Sequence, residues 1–235
     1  MIEFKNVTKV VDYQGMKMKS LEGISFSVNA QQIFGIVGDY ACGKTTLLKS
    51  INGLEKATEG EVLVMGKNIN KLSTFELRTL RKRIGCVFQG LQLFPSYNVF
   101  DNIAFPLRLS KISEKDVQSR VRELLEYVEL TDKATDYPVE LSASQKQRAV
   151  IARAISTNPH ILLCDEPTAE LDPITTRRIL TLLKRLRDEC HLTIVITSNE
   201  MNAMKTICDG FLVLDNGRMA PMKVPDSSSV RRLGL

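Results

Sequence analysis

The sequence predicts an α/β fold: an open sheet with helices between its strands, preceded by an antiparallel β subdomain and interrupted by a helical one. Three observations carry this. Short apolar runs at Ile33–Val37, Ile84–Phe88, Ile161–Cys164 and Leu192–Thr197 recur between amphipathic stretches, as buried strands alternating with helices do. Residues 1–32 alternate apolar and polar side chains instead, the mark of strands with one buried face. Residues 91–140 hold helical stretches and no strong strand, so they read as an insertion. The expected division is one domain over 1–235: a core from 1–90 and 141–220, a helical subdomain at 91–140, and a short polar tail at 221–235.

From the N-terminus, Ile2, Phe4 and Val7, then Ile24, Phe26 and Val28, supply the buried faces of the first strands. Residues 11–20, polar and rich in Met and Lys, are expected to connect them. Ile33, Phe34, Ile36 and Val37 form a strand that Gly38 breaks. Gly38-Asp39-Tyr40-Ala41-Cys42-Gly43-Lys44-Thr45 then fits the phosphate-binding pattern of Gly, any four residues, Gly-Lys-Ser/Thr, and Thr46 to Lys49 read as the first turns of a helix. The order suits the chemistry of a P-loop NTPase. Backbone N–H groups and the helix N-terminus attract phosphate, Lys44 reaches the β- and γ-phosphates, and the Thr45 hydroxyl can ligate Mg²⁺. Cys42 lies beside both the helix N-terminus and Lys44, which favours a thiolate; an inert small residue filling the loop is the other reading.

Glu61–Met65 is expected as a strand after the Thr58-Glu59-Gly60 turn, and Ser73-Thr74-Phe75-Glu76 as a capping box opening a helix to Arg83. Gln89 follows the Ile84–Phe88 run. Ligands of open α/β sheets sit beyond the carboxyl ends of strands, which places Gln89 where Mg²⁺ or an attacking water would lie. By position alone a lone Gln is more often a surface residue. Ser113 caps a helix with Val117, Val121, Leu124, Leu125 and Val128 on one face, and Ser142 caps another running through Asn158. The apolar strand Ile161–Cys164 ends in Asp165-Glu166. Two carboxylates there are costly unless a cation meets them. Mg²⁺ fits, with Asp165 holding the ion and Glu166 acting as general base on the attacking water. Thr175–Glu189 reads as a helix, Leu192–Thr197 as a strand delivering Ser198-Asn199-Glu200 to the ligand side, and Phe211–Leu214 as the last strand.

The 235 residues, 43% apolar, support a sizeable core. No apolar run approaches a membrane span, and the opening MIEFKNVTKV has no signal-peptide core, so a soluble protein inside the cell is expected. Cys42, Cys86, Cys164, Cys190 and Cys208 have no metal-ligand spacing and read as free thiols. The net charge of +5 is dispersed and reads as solvated surface.

In this order the motifs resemble those of ATP-binding cassette (ABC) ATPases, over nearly the whole chain. Residues 38–46 match the phosphate loop, Gln89 the Q-loop, Leu141-Ser142-Ala143-Ser144-Gln145 the signature, Asp165-Glu166 the Walker B motif and Leu171-Asp172 the D-loop. KQRAVIARAISTNPHILLCDEPTAELDP and NEMNAMKTICD are most similar to the ATPase subunits of bacterial methionine importers, with other amino-acid importers and lipoprotein-type exporters close in pattern. The resemblance implies ATP and Mg²⁺ as cofactors. ATP would be bound by Gly38, Asp39, Tyr40, Ala41, Cys42, Gly43, Lys44, Thr45 and Thr46, and Mg²⁺ held by Thr45, Gln89 and Asp165. Glu166, Gln89 and Asn199 would be catalytic, and Val11, with Tyr13 nearby, would take the place of the aromatic that stacks on adenine. It further implies a head-to-tail dimer in which Ser142, Ala143, Ser144 and Gln145 act on the other chain's ATP, with Asp172 in the D-loop. Such pairs sit on the cytoplasmic face of the membrane against transmembrane permease subunits, with an extracytoplasmic substrate-binding protein as a further partner and no nucleic acid.

The chain departs from the family pattern at Tyr40-Ala41 (usually Ser-Gly), at Ala143-Ser144 (usually Gly-Gly) and at Asn199 (usually His). Methionine-importer subunits carry a further C-terminal regulatory domain, which a chain ending at Leu235 is not expected to hold. Two readings follow: a transport ATPase, supported by Gln89 and Glu166, or a degenerate cassette that binds ATP and turns it over slowly as a partner in a heterodimer, supported by Ala143, Ser144 and Asn199. A non-transport ABC protein would want a coiled-coil insertion or a second cassette, and the sequence shows neither.

Overall fold

Two sheets meet across one apolar layer. The structure, a computed structural model, describes residues 1–13, 15–90 and 93–220. In chain order its strands and helices are β1 (Ile2–Tyr13), β2 (Met16–Val28), β3 (Ile33–Val37), α1 (Lys44–Ile51), β4 (Glu59–Val64), β5 (Lys67–Asn68), α2 (Thr74–Arg81), β6 (Ile84–Val87), α3 (Val99–Leu109), α4 (Glu114–Tyr127), α5 (Ala143–Ile155), β7 (Ile161–Cys164), α6 (Pro173–Cys190), β8 (Thr193–Ser198), α7 (Met201–Ile207), β9 (Gly210–Asp215) and β10 (Arg218–Ala220). One sheet is antiparallel with order β2-β1-β4-β5; the other runs β10-β9-β3-β8-β7-β6 and is parallel from β9 to β6.

Side-chain alternation divides the core. Phe34 and Ile36 of β3 pack with Ile2, Phe4 and Ile24 of the antiparallel sheet and with Leu47, Leu48 and Ile51 of α1. Ile33 and Val37 face the other way, into a cluster with Val99 and Ile103 of α3, Val121 and Leu124 of α4, and Ile179 of α6. The central strands are therefore buried on both faces, which is why they read as unbroken apolar runs. Residues 93–140 hold, among the described residues, helices and no strand, and they share the core of the parallel sheet. Ser73–Glu76 and Ser142–Gln145 form capping boxes and Ser113 caps α4, each at the predicted place.

Three expectations are corrected. Residues 11–20 are not a connection: Val11 pairs with Met18 and Tyr13 with Met16, so the two strands run on to Tyr13 and Met16. Their polar composition follows from exposure, with Met16 63% and Met18 55% accessible. The helix capped by Ser142 stops at Ile155, because Asn158 takes a left-handed φ of 52° ahead of Pro159. Phe211–Leu214 is not last, since β10 folds back on β9 through Asn216-Gly217. The tail, 221–235, lies outside the described residues. No described helix is long and apolar enough to cross a membrane.

Candidate functional site

Neighbouring parallel strands bring four sequence-predicted segments to one edge. The 38–46 loop follows β3, Ser198-Asn199 closes β8, Asp165-Glu166 follows β7, and Gln89 lies beyond β6. The loop is tightly built. A Cβ at Gly38 would lie 2.3 Å from the Leu214 carbonyl oxygen, so only glycine fits there. Gly43, at φ 107°, is the N-cap of α1, and no side chain caps that helix. The leading N–H groups of α1 thus have no side-chain acceptor, the arrangement that receives an anion.

Lys44 is 5% exposed, and its ammonium has three acceptors. It donates to the carbonyl oxygens of Gly38 and Asp39, both at 2.8 Å, and lies 3.1 Å from Glu166 Oε1. Thr45 Oγ1 donates to Asp165 Oδ2 at 2.8 Å, and Thr197 Oγ1 donates to Asp165 Oδ1 at 2.8 Å. The Glu166 N–H in turn donates to Thr197 Oγ1 at 2.9 Å. Glu166 sits in the left-handed region, φ 47°, uncommon for a residue with a side chain. Sequence reasoning missed Thr197. The available signal was a hydroxyl inside a buried strand beside the two carboxylates.

Among the described residues no group of three or more His, Cys, Asp or Glu could hold a metal. Mg²⁺ typically takes one or two carboxylates together with substrate phosphates and waters. A hydroxyl and a carboxylate 2.8 Å apart at the foot of a phosphate loop are the oxygen donors it prefers.

The other predicted residues do not join this cluster directly. Gln89 is exposed, two residues past β6, and among the described residues has no hydrogen bond to Thr45, Asp165 or Glu166. Asn199 is exposed immediately after β8. Tyr40 projects from the loop, 87% exposed. Ser142 and Ala143 are exposed at the start of α5; Ser142 and Gln145 bond each other rather than their own loop. Asp172 caps α6, accepting from the N–H groups of Ile174 and Thr175 at 2.9 and 3.1 Å. Val11 is half-buried in β1, and the Tyr13 side chain lies outside the described residues. Cys42 is buried, and burial pushes its thiol up against the opposite pull of Lys44, which favours the reading of a small residue filling the loop over that of a thiolate.

Among known proteins, a family described as "ABC transporter" matches residues 21–169. The chain is 48% identical over 219 residues to the methionine import ATP-binding protein MetN 2 of Bacillus cereus, covering 93% of this chain and 65% of that protein. The identity to MetN 1 of Bacillus thuringiensis is also 48%, with the same coverage. The chain thus spans 65% of the length of these relatives. In structure it is similar to the ATP-binding cassette MJ0796 in a dimeric, post-hydrolysis state bound to ADP and Pi, with a TM-score of 0.86 and 33% identity over 94% of this chain and 97% of that one. CbiO1 of Clostridium perfringens, part of the ABC transporter complex cbiONQ, gives 0.86 and 29% over 94% and 86%. The matched stretch contains the signature as well as the phosphate loop and the Asp165-Glu166 pair, the last two found here at one sheet edge, and on it the chain belongs to the ABC transporter family.

Proposed function

We propose that the protein binds Mg-ATP at the 38–46 loop and hydrolyses it as the ATPase subunit of a transporter, an importer of amino acids of the methionine type. One observation carries this reading: the contacts Thr45–Asp165 and Lys44–Glu166, joined through Thr197, form a single network at the mouth of the phosphate loop. The loop N–H groups and the N-terminus of α1 receive the phosphates. Lys44 exchanges the Gly38 and Asp39 carbonyls for phosphate oxygens and releases Glu166, which then accepts a proton from the attacking water. Thr45, Asp165 and Gln89 would hold Mg²⁺, which would supply charge neutralisation across the phosphates. Asn199 and Gln89, on the strands flanking β7, orient the water, and Val11 lies against the adenine. Methionine as cargo is supported by the names of the Bacillus relatives.

The signature, Ser142 to Gln145, exposed at Ser142 and Ala143, and the exposed Asp172 support action on the ATP of a second copy in a head-to-tail dimer. That dimer sits on the cytoplasmic face of the membrane against transmembrane permease subunits, with an extracytoplasmic substrate-binding protein as a further partner. The chain acts as one ATPase domain, its helical part at 91–140 turned to the permease. Slow turnover, the second reading, draws no support from the relatives, and Lys44, Asp165 and Glu166 are all in place.

The test is ATP affinity by calorimetry. Lys44→Ala is expected to cost roughly 1.5–3 kcal/mol, the worth of a hydrogen bond to a charged group. Unchanged affinity would remove the assignment.

A further inference from the structure

Thr197 is fully buried in β8 and hydrogen-bonded on two sides. Its one hydroxyl hydrogen goes to Asp165 Oδ1, and its oxygen accepts the Glu166 N–H. A hydroxyl has a single hydrogen, so these two bonds together fix its rotation. They also orient the Asp165 carboxylate, leaving Oδ2 to Thr45. On the other side they tie down the peptide N–H of Glu166, a residue held at φ 47° with its side chain beside Lys44. One side chain from a neighbouring strand thereby sets the carboxylate of Asp165 and the backbone of Glu166.

We infer that Thr197 is a positioning residue for the Mg²⁺-dependent step: it presents Asp165 to the metal together with Thr45, and keeps Glu166 where Lys44 can hand it over to the attacking water. This rests on the Mg-ATPase reading above. The competing account is a buried threonine that satisfies its hydroxyl on the nearest acceptor and contributes only to stability. The two accounts part on Mg²⁺. A purely structural threonine affects nucleotide binding equally with and without the metal, whereas a positioning threonine affects only the metal-dependent part.

The experiment compares wild type, Thr197→Val and Thr197→Ser by calorimetry of ATP binding in EDTA, by Mg²⁺ titration of that binding, and by steady-state phosphate release. Valine keeps the branched shape and removes the hydroxyl; serine restores it. The valine variant is expected to bind metal-free ATP as wild type does. Its half-saturating Mg²⁺ should rise on the order of tenfold to a hundredfold, the range for losing a hydrogen bond to a charged group. Its kcat should fall while KM at saturating Mg²⁺ stays near wild type, and serine should return both towards wild type. If valine does not fold, Thr197→Ala against Thr197→Ser makes the same comparison. A hydroxyl-free variant that melts lower but needs no more Mg²⁺ than wild type would overturn the inference alone. Wild-type protein that binds no ATP would overturn the reading and the inference together.

Discussion

The ammonium of Lys44 has three hydrogens and, in this chain, three acceptors: two loop carbonyls and Glu166. In the proposed reading, phosphate competes with all three, so arrival of nucleotide and release of Glu166 are one event. Removing the carboxylate charge while keeping the shape separates binding from chemistry. Glu166→Gln is therefore expected to keep or tighten ATP binding, since Lys44 loses its anionic partner. Turnover should drop by about 10²- to 10⁴-fold, the usual contribution of a general base. Phosphate release and calorimetry on one preparation check both halves; turnover within twofold of wild type would reassign the base.

At the scale of elements, short polar residues at helix starts decide where the chain turns. Asp172 caps α6, and the hydrogen bond from Thr175, with the N–H groups of Thr175 and Ile174 behind it, holds its carboxyl below the ordinary carboxylate range. The sign follows from linkage. A carboxylate favoured in the folded state stabilises fully above its unfolded value, about 3.9, and loses that contribution as pH falls through the lower folded value. Thermal melts are expected to show wild type ahead of Asp172→Asn at neutral pH, with the gap closing below about pH 4. A gap constant to pH 2 would show that the charge contributes nothing to the cap.

At the scale of the whole molecule, the phosphate loop and the signature are separate. Ser142 and Ala143 are exposed, and Ser142 bonds Gln145 rather than its own loop. An exposed helix N-terminus suits a phosphate brought by another copy. With Mg-ATP, the Glu166→Gln variant is expected to sediment as a dimer, and Ser142→Glu added to it should return the monomer by setting a carboxylate against phosphate. A monomer at saturating Mg-ATP would count against the head-to-tail arrangement.

The sequence by itself determined the phosphate loop, the helix caps and the strands that deliver Asp165-Glu166 and Asn199, because each depends on residues within one turn or one pleat of one another. Only the tertiary structure decided what meets across the sheet. β3 lies between β8 and β9, and β7 between β8 and β6. That order sets Thr197 against Asp165 and Lys44 against Glu166, contacts between residues far apart in the chain. The same holds for Cys42, whose neighbours in sequence favour a thiolate and whose burial in the folded loop pushes its thiol up, and for residues 11–20, whose polar composition suggests a loop until the ladder to the facing strand is seen. Local sequence sets backbone conformation and charge, but desolvation and hydrogen-bond partners come from the strands packed alongside, which no local pattern specifies.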